Sequence, residues 1–134
     1  MSTIAEVREA LAAAQASIPG VTAHAYFPGQ LVGPLTVAGR SRTSYGADFD
    51  GDLDSTYVVR VYVPLADFRT AQQTLDALLA QSGPQSLPAA IEADGTLGGV
   101  VQFLSVDSCQ EEGVTEIDSL KWLTATLSIS IGNV

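Results

Sequence analysis

Four aspartates at alternate positions, Asp48, Asp50, Asp52 and Asp54, form the densest group of chemically capable side chains in this sequence. Oxygen ligands at that spacing are what calcium favours, but an EF-hand loop needs its glycine after the third acid and a bidentate glutamate at the twelfth position. Here Gly51 comes too early, and the twelfth residue from Asp48 is Val59. If the segment is extended, all four carboxylates share one face and repel one another unless a cation or an arginine lies nearby. The group therefore reads as a solvated acidic rim or as an intersubunit partner for Arg40 and Arg42. A small calcium-dependent binding module is the alternative from a different class.

The remaining constellations fail on chemistry. Gly95-Thr96-Leu97-Gly98-Gly99 has the glycines of a phosphate loop without its lysine, and without a strand before and a helix after. It reads as a turn between helix and strand. His24, Ser44 and the nearby aspartates show no nucleophile-elbow pattern, so His24 reads as a partly buried structural residue on a strand. Cys109 has Glu111 and Glu112 close by, which would raise its thiol pKa rather than activate it. One cysteine gives neither an internal disulfide nor a thiolate cage, and one histidine excludes two-histidine metal sites. Trp122, Tyr45, Tyr57 and Tyr62 suit an interface and a small core equally. The sequence predicts no enzyme, no cofactor and no metal site.

The elements that would position these residues follow from periodicity and punctuation. Ile4, Val7, Leu11, Ala14 and Ile18 make one apolar stripe on a helix from about Ile4 to Ser17, with Thr3 and Glu6 as a capping box and Pro19-Gly20 as the stop. Val21 to Phe27 is β-prone. From Pro28 to about Asp54 the sequence is rich in glycine and predicts a long irregular stretch with a short strand around Leu35–Val37. That stretch is either a surface loop or an arm that becomes ordered against a neighbouring subunit.

Tyr57 to Val63 alternates as a strand and ends at Pro64. Asp67 caps a second helix whose buried side is Phe68, Ala71, Leu75, Leu78 and Leu79, and Ser86 caps a third from Leu87 to Ala93. Val100 to Val106 reads as a strand and Asp107 to Gly113 as a polar turn. Val114 to Ile117 then leads into a last strand with Leu123, Ala125, Leu127, Ile129 and Ile131 facing inward. On its opposite side Trp122, Thr124, Thr126, Ser128 and Ser130 suit a solvated or subunit-facing surface. The order predicts an α+β fold in a single domain, 1–134. Its mostly antiparallel sheet would carry the N-terminal helix and two further helices on one face, with a long loop at about 28–54.

Composition sets the outer bounds. A chain of 134 residues that is 46% apolar fits one domain and buries a core. Fifteen acids against six bases leave a net charge of −9, which excludes nonspecific binding to DNA, itself a polyanion. No apolar run approaches the ~18–20 residues that span a bilayer, and Met1 to Glu6 lacks the features of a secretion signal. A soluble cytoplasmic product with no membrane partner is the expectation.

Three blocks then carry a resemblance: Ser82-Gly83-Pro84-Gln85-Ser86, Ala89-Ala90-Ile91-Glu92-Ala93-Asp94, and Thr96-Leu97-Gly98-Gly99-Val100. Together with Ile4-Ala5-Glu6-Val7-Arg8, Ile18-Pro19-Gly20, the run from Asp54 through Val63 and the alternating last strand, the chain resembles small neck proteins of long-tailed actinobacteriophages. These are tail terminators or head-to-tail connector proteins. The resemblance implies a subunit of a homo-hexameric ring at the head-proximal end of the tail, in the virion neck, assembled in the bacterial host cytoplasm. Such a ring ends tail-tube polymerisation, offers the docking surface for the filled head and lets DNA pass through its lumen. Its partners would be itself, the tail-tube protein and head-tail connector proteins, with no specific nucleic-acid binding. A connector ring nearer the head and a tail-tube protein are the alternatives within the same system. No catalytic or binding residue carries over.

A ring needs heterologous contacts, one patch meeting a different patch on the next subunit. The stretch from Gly29 to Asp54 would bring Arg40 and Arg42 to acids such as Asp107, Glu111 or Glu112 of a neighbour. Alternatively, the polar face of the final strand would pair with another subunit's sheet edge. The interface candidates are accordingly Arg40, Arg42, Asp48, Asp50, Asp52, Asp54, Glu111 and Glu112.

Overall fold

A computed structural model describes residues 4–31, 33–44, 54–93, 95–101, 103–117 and 119–132, and at 40–44, 54–55, 103, 111–112 and 132 the backbone alone. The elements run α1 (Ile4–Gln15), β1 (Thr22–His24), β2 (Leu35–Ser44), β3 (Asp54–Pro64), α2 (Phe68–Leu79), α3 (Leu87–Glu92), β4 (Phe103–Ile117) and β5 (Leu120–Gly132). Five strands make one sheet in the order β1-β2-β3-β5-β4, in which only the β1–β2 pair is parallel. This is the α+β architecture that the sequence predicts.

All three helices cover the same face. Alternation along β3 and β5 puts Tyr57, Val59, Val61 and Val63 beside Leu123, Ala125, Leu127, Ile129 and Ile131, all buried. Val7 and Leu11 of α1, Ala71, Leu75 and Leu78 of α2, and Leu87 and Ile91 of α3 close over them into one cluster. Each valine, leucine or isoleucine among them, fully buried, contributes roughly 1.5–3 kcal/mol of transfer free energy. The caps of α2 and α3 follow the sequence reading. Asp67 accepts from the Thr70 backbone N–H at 3.3 Å and its hydroxyl at 2.6 Å, and Ser86 Oγ accepts from Ala89 N–H at 3.1 Å. Phe68 is a correction: at the first residue of α2 it is 52% exposed, outside the buried stripe of Ala71, Leu75 and Leu78.

Two further expectations are corrected at the sheet edges. The short strand expected around Leu35–Val37 runs on through seven residues expected to be irregular, Ala38–Ser44, to form β2, which pairs along its length with β3 and shifts register only between Arg40 and Arg42. Part of the 28–54 loop is thus one arm of a hairpin, in which Leu35, Thr36, Val37 and Ala38 are buried. Likewise Asp107–Gly113 is not a turn. It lies inside the 15-residue β4, where register shifts between Val106 and Ser108 and between Glu111 and Gly113 absorb one extra residue each. Gly113 takes the left-handed conformation that the second bulge needs, at φ +88°. The reversal occurs instead between Ile117 and Leu120, where Ser119 has φ +68°.

Candidate interface surfaces

The uncovered side of the sheet holds Leu35, Val37 and Gly39 of β2, Val58, Arg60 and Tyr62 of β3, and Trp122, Thr124, Thr126, Ser128 and Ser130 of β5. One end of this outer face is not solvated. The connection from β1 to β2 crosses it, and Leu31 from that connection packs with Ile117 of β4 on a second small cluster of Leu35, Val37, Tyr62 and Trp122. Phe27 meets Tyr62 edge to face, with centroids 6.1 Å apart and planes at 83°. Trp122 and Thr124, expected to face outward, are therefore 3% and 1% exposed. Thr124 Oγ1 donates to the Gly113 carbonyl at 3.1 Å, while no partner of the Trp122 indole N–H lies among the described residues. Trp122, Leu31, Pro64, Leu65 and Leu120 line an apolar cavity of about 400 Å³ at this end.

At the other end the face is polar. Asp107 accepts hydrogen bonds from the hydroxyls of Ser130 and Ser105 and so ties the bulged part of β4 to β5. The two hydroxyls, Ser130 foremost, hold the Asp107 carboxyl below the ordinary aspartate value of 3.8. Between the two ends, Arg8, Phe27, Val58, Arg60 and Tyr62 line a notch of about 250 Å³. Arg8 reaches it from α1, its guanidinium 5.0 Å from the centroid of the Tyr26 ring. Arg60 is exposed, and its guanidinium has no hydrogen-bond or ion-pair partner among the described residues.

Both sheet edges are open along much of their length. Thr22 N–H donates to the Pro34 carbonyl at 3.2 Å, so residues 34, 36 and 38 turn their backbone groups toward β1. β1 ends opposite Val37, and the next outward carbonyl, Ala38 O, accepts from Arg8 Nη1 at 3.3 Å. From Gly39 to Ser44 the β2 edge has no partner strand among the described residues, and neither does the outer edge of β4.

The predicted interface residues separate onto these two edges. Arg40 lies on β2 opposite Tyr57 and Arg42 opposite Thr56, either side of the bulge. Glu111 lies on β4 opposite Ala125, with Glu112 at the bulge beside it. With β3 and β5 between, the backbones of β2 and β4 are about 14 Å apart within one chain. Asp54 opens β3 opposite Ser44, whereas Asp48, Asp50 and Asp52 lie outside the described residues, as does Tyr45.

Other candidates are dispersed. His24 sits opposite Val37 and Ser44 opposite Asp54 at the far end of the same strand, about 23 Å away at 3.3 Å per residue. The Gly95–Gly99 segment is a turn closed by Gly99 N–H donating to Thr96 O, with Leu97 buried at φ +50°. Cys109 is exposed on β4, and no group of three metal-ligating side chains occurs among the described residues. No helix among them is long and apolar enough to cross a membrane. The Arg8–Arg60 notch was not anticipated. The one signal for it was a lone arginine in the middle of the alternating β3, since the residues that surround it come from distant parts of the chain. Comparisons with protein-family models and with curated protein sequences return no match.

Proposed function

We propose that the chain is a structural subunit of a phage-tail neck, which assembles head to tail into a closed ring at the head-proximal end of the tail tube and stops its growth. The observation that carries this reading is the distribution of charge over the two open edges. Arginines 40 and 42 lie on the β2 edge, and Asp107, Glu111 and Glu112 lie on the β4 edge. Unlike patches on opposite sides of one sheet suit a heterologous contact, which repeats into a ring when the rotation closes. The resemblance of the sequence to tail terminators and connector proteins supports the placement in the virion neck. A net charge of −9 per subunit suits a lumen through which DNA slides without sticking.

Two experiments test this. Electron microscopy of particles made without the protein is expected to show overlong, headless tubes. Tails of normal length that fail to join filled heads would make the protein a connector, and intact virions would overturn the reading. The double substitution Arg40→Glu with Arg42→Glu is expected to abolish rings while the far-UV circular dichroism and melting of the subunit persist. Normal rings from that variant would remove the β2 edge from the interface.

A further inference from the structure

We infer that the open β2 edge of one copy joins the open β4 edge of the next as an added antiparallel strand, with Arg40 opposite Val106 and the carboxylate of Asp107 as its counter-charge. This deepens the self-assembly proposed above and rests on it, but not on the placement in a phage tail.

Strand direction and backbone groups carry the first step. Three antiparallel pairings join β2, β3, β5 and β4, so β4 runs opposite to β2. A neighbour that is rotated without being turned over therefore presents an antiparallel β2 to β4. Outward backbone groups alternate along each edge. On β2 the series 34, 36 and 38 continues to Arg40, which lies past Val37, the last partner of β1. Carried across the sheet, the same alternation turns the backbone groups of Leu104 and Val106 outward on β4. Edges with unpaired groups of this kind are templates for a further strand. Within one chain the two backbones are about 14 Å apart, too far for a strand pair, so this ladder forms only between copies.

Charge and register choose the partner edge. β2 holds two arginines and no acid, whereas β4 holds Asp107, Glu111, Glu112 and Glu116 and no base. A two-fold contact of β2 with β2, or of β4 with β4, would set like charges side by side, so only the unlike edges attract. Rungs run level from Arg40 through Tyr57 and Ile129 to Val106, and from Arg42 through Thr56 and Ser130 to Ser105. Asp107 occupies the bulge after Val106, its carboxylate already held by the hydroxyls of Ser105 and Ser130. Glu111 is level instead with Thr36, whose outer edge β1 occupies. A level neighbour thus brings Arg40 to Asp107 and not to Glu111 or Glu112.

The test is sedimentation velocity of the full-length chain and of two charge reversals, Arg40→Asp and Asp107→Arg, alone and mixed. Each reversal alone sets like charges at the contact and is expected to sediment as a monomer. The equimolar mixture is expected to assemble, because every contact between unlike variants pairs an aspartate with an arginine. Glu111→Arg with Glu112→Arg is expected to assemble as the parent does. Circular dichroism checks the folds. Asp107→Asn, which keeps an acceptor for the serine hydroxyls, is expected to weaken assembly about two- to fivefold. With a parent that assembles, four results would each overturn the inference and leave the ring reading standing: assembly of either reversal alone, a mixture that stays monomeric, unweakened assembly of Asp107→Asn, or loss of assembly in the Glu111 and Glu112 variant. A parent that stays monomeric at its highest soluble concentration would overturn both.

Discussion

The two faces of the sheet are built from the same strands by different rules. On the helix-covered face, every second residue of β3 and β5 enters a continuous apolar core. On the outer face, the intervening positions hold threonines, serines, one exposed arginine and a small aromatic cluster under the 25–34 crossing. The first arrangement holds one chain together. The second leaves hydrogen-bonding groups, a cationic notch and an apolar cavity at the surface, the mixture found where polar rims surround apolar contacts in protein interfaces. Core packing and exposed polar surface thus occupy opposite sides of a layer one strand thick.

Neighbours on β5 give the sharpest measure of that difference. Leu127→Ala is expected to destabilise the chain by about 2–5 kcal/mol in chemical denaturation, because it opens a cavity in the core. Ser128→Ala, one residue away and facing out, is expected to stay within about 0.5 kcal/mol. Similar costs at the two positions would break the comparison. Ser86→Ala, at the edge of the helical layer, is expected to cost about 1–2 kcal/mol. It removes both the cap of α3 and the hydrogen bond that Ser86 Oγ donates to Ala80 O at 2.5 Å.

Acid sensitivity is the smallest expected effect. Hydrogen bonds hold Asp107 on the outer face and Asp67 at the start of α2 below the ordinary value of 3.8, Ser130 being the main cause for the first and the Thr70 hydroxyl for the second. A carboxylate with a depressed folded pKa stabilises the fold above its unfolded pKa. That contribution disappears as pH falls through the lower folded value. Melting temperature is therefore expected to drop on acidification below about pH 4. Asp107→Asn and Asp67→Asn should each flatten part of that drop. A melting curve as acid-sensitive in the double variant as in the parent would show that neither carboxylate matters.

What was legible in the sequence tracks what the chain buries. β3 and β5 alternate because one side of each lies in the core, and the caps at Asp67 and Ser86 are visible because local hydrogen bonds specify them. β2 beyond Val37 and β4 through Asp107–Gly113 were not legible as strands. As edge strands, their polar residues need no burial, and their pairing depends on a neighbouring backbone that local sequence does not encode. The same reason hid the notch. Residues 8, 27 and 60 come together only because α1 lies beside β2 and the 25–34 crossing folds back over β3.

The strand order also bears on how the chain is made. β5 is the last strand in sequence, yet it lies between β3 and β4, and Ser55 pairs with Ile131. While a ribosome is still synthesising the chain, β3 has only β2 beside it and β4 has no neighbour at all. The central rungs close only once β5 has been made, so β3 keeps one edge unpaired until then. Pairings so distant in sequence form slowly, which prolongs the exposure of that edge.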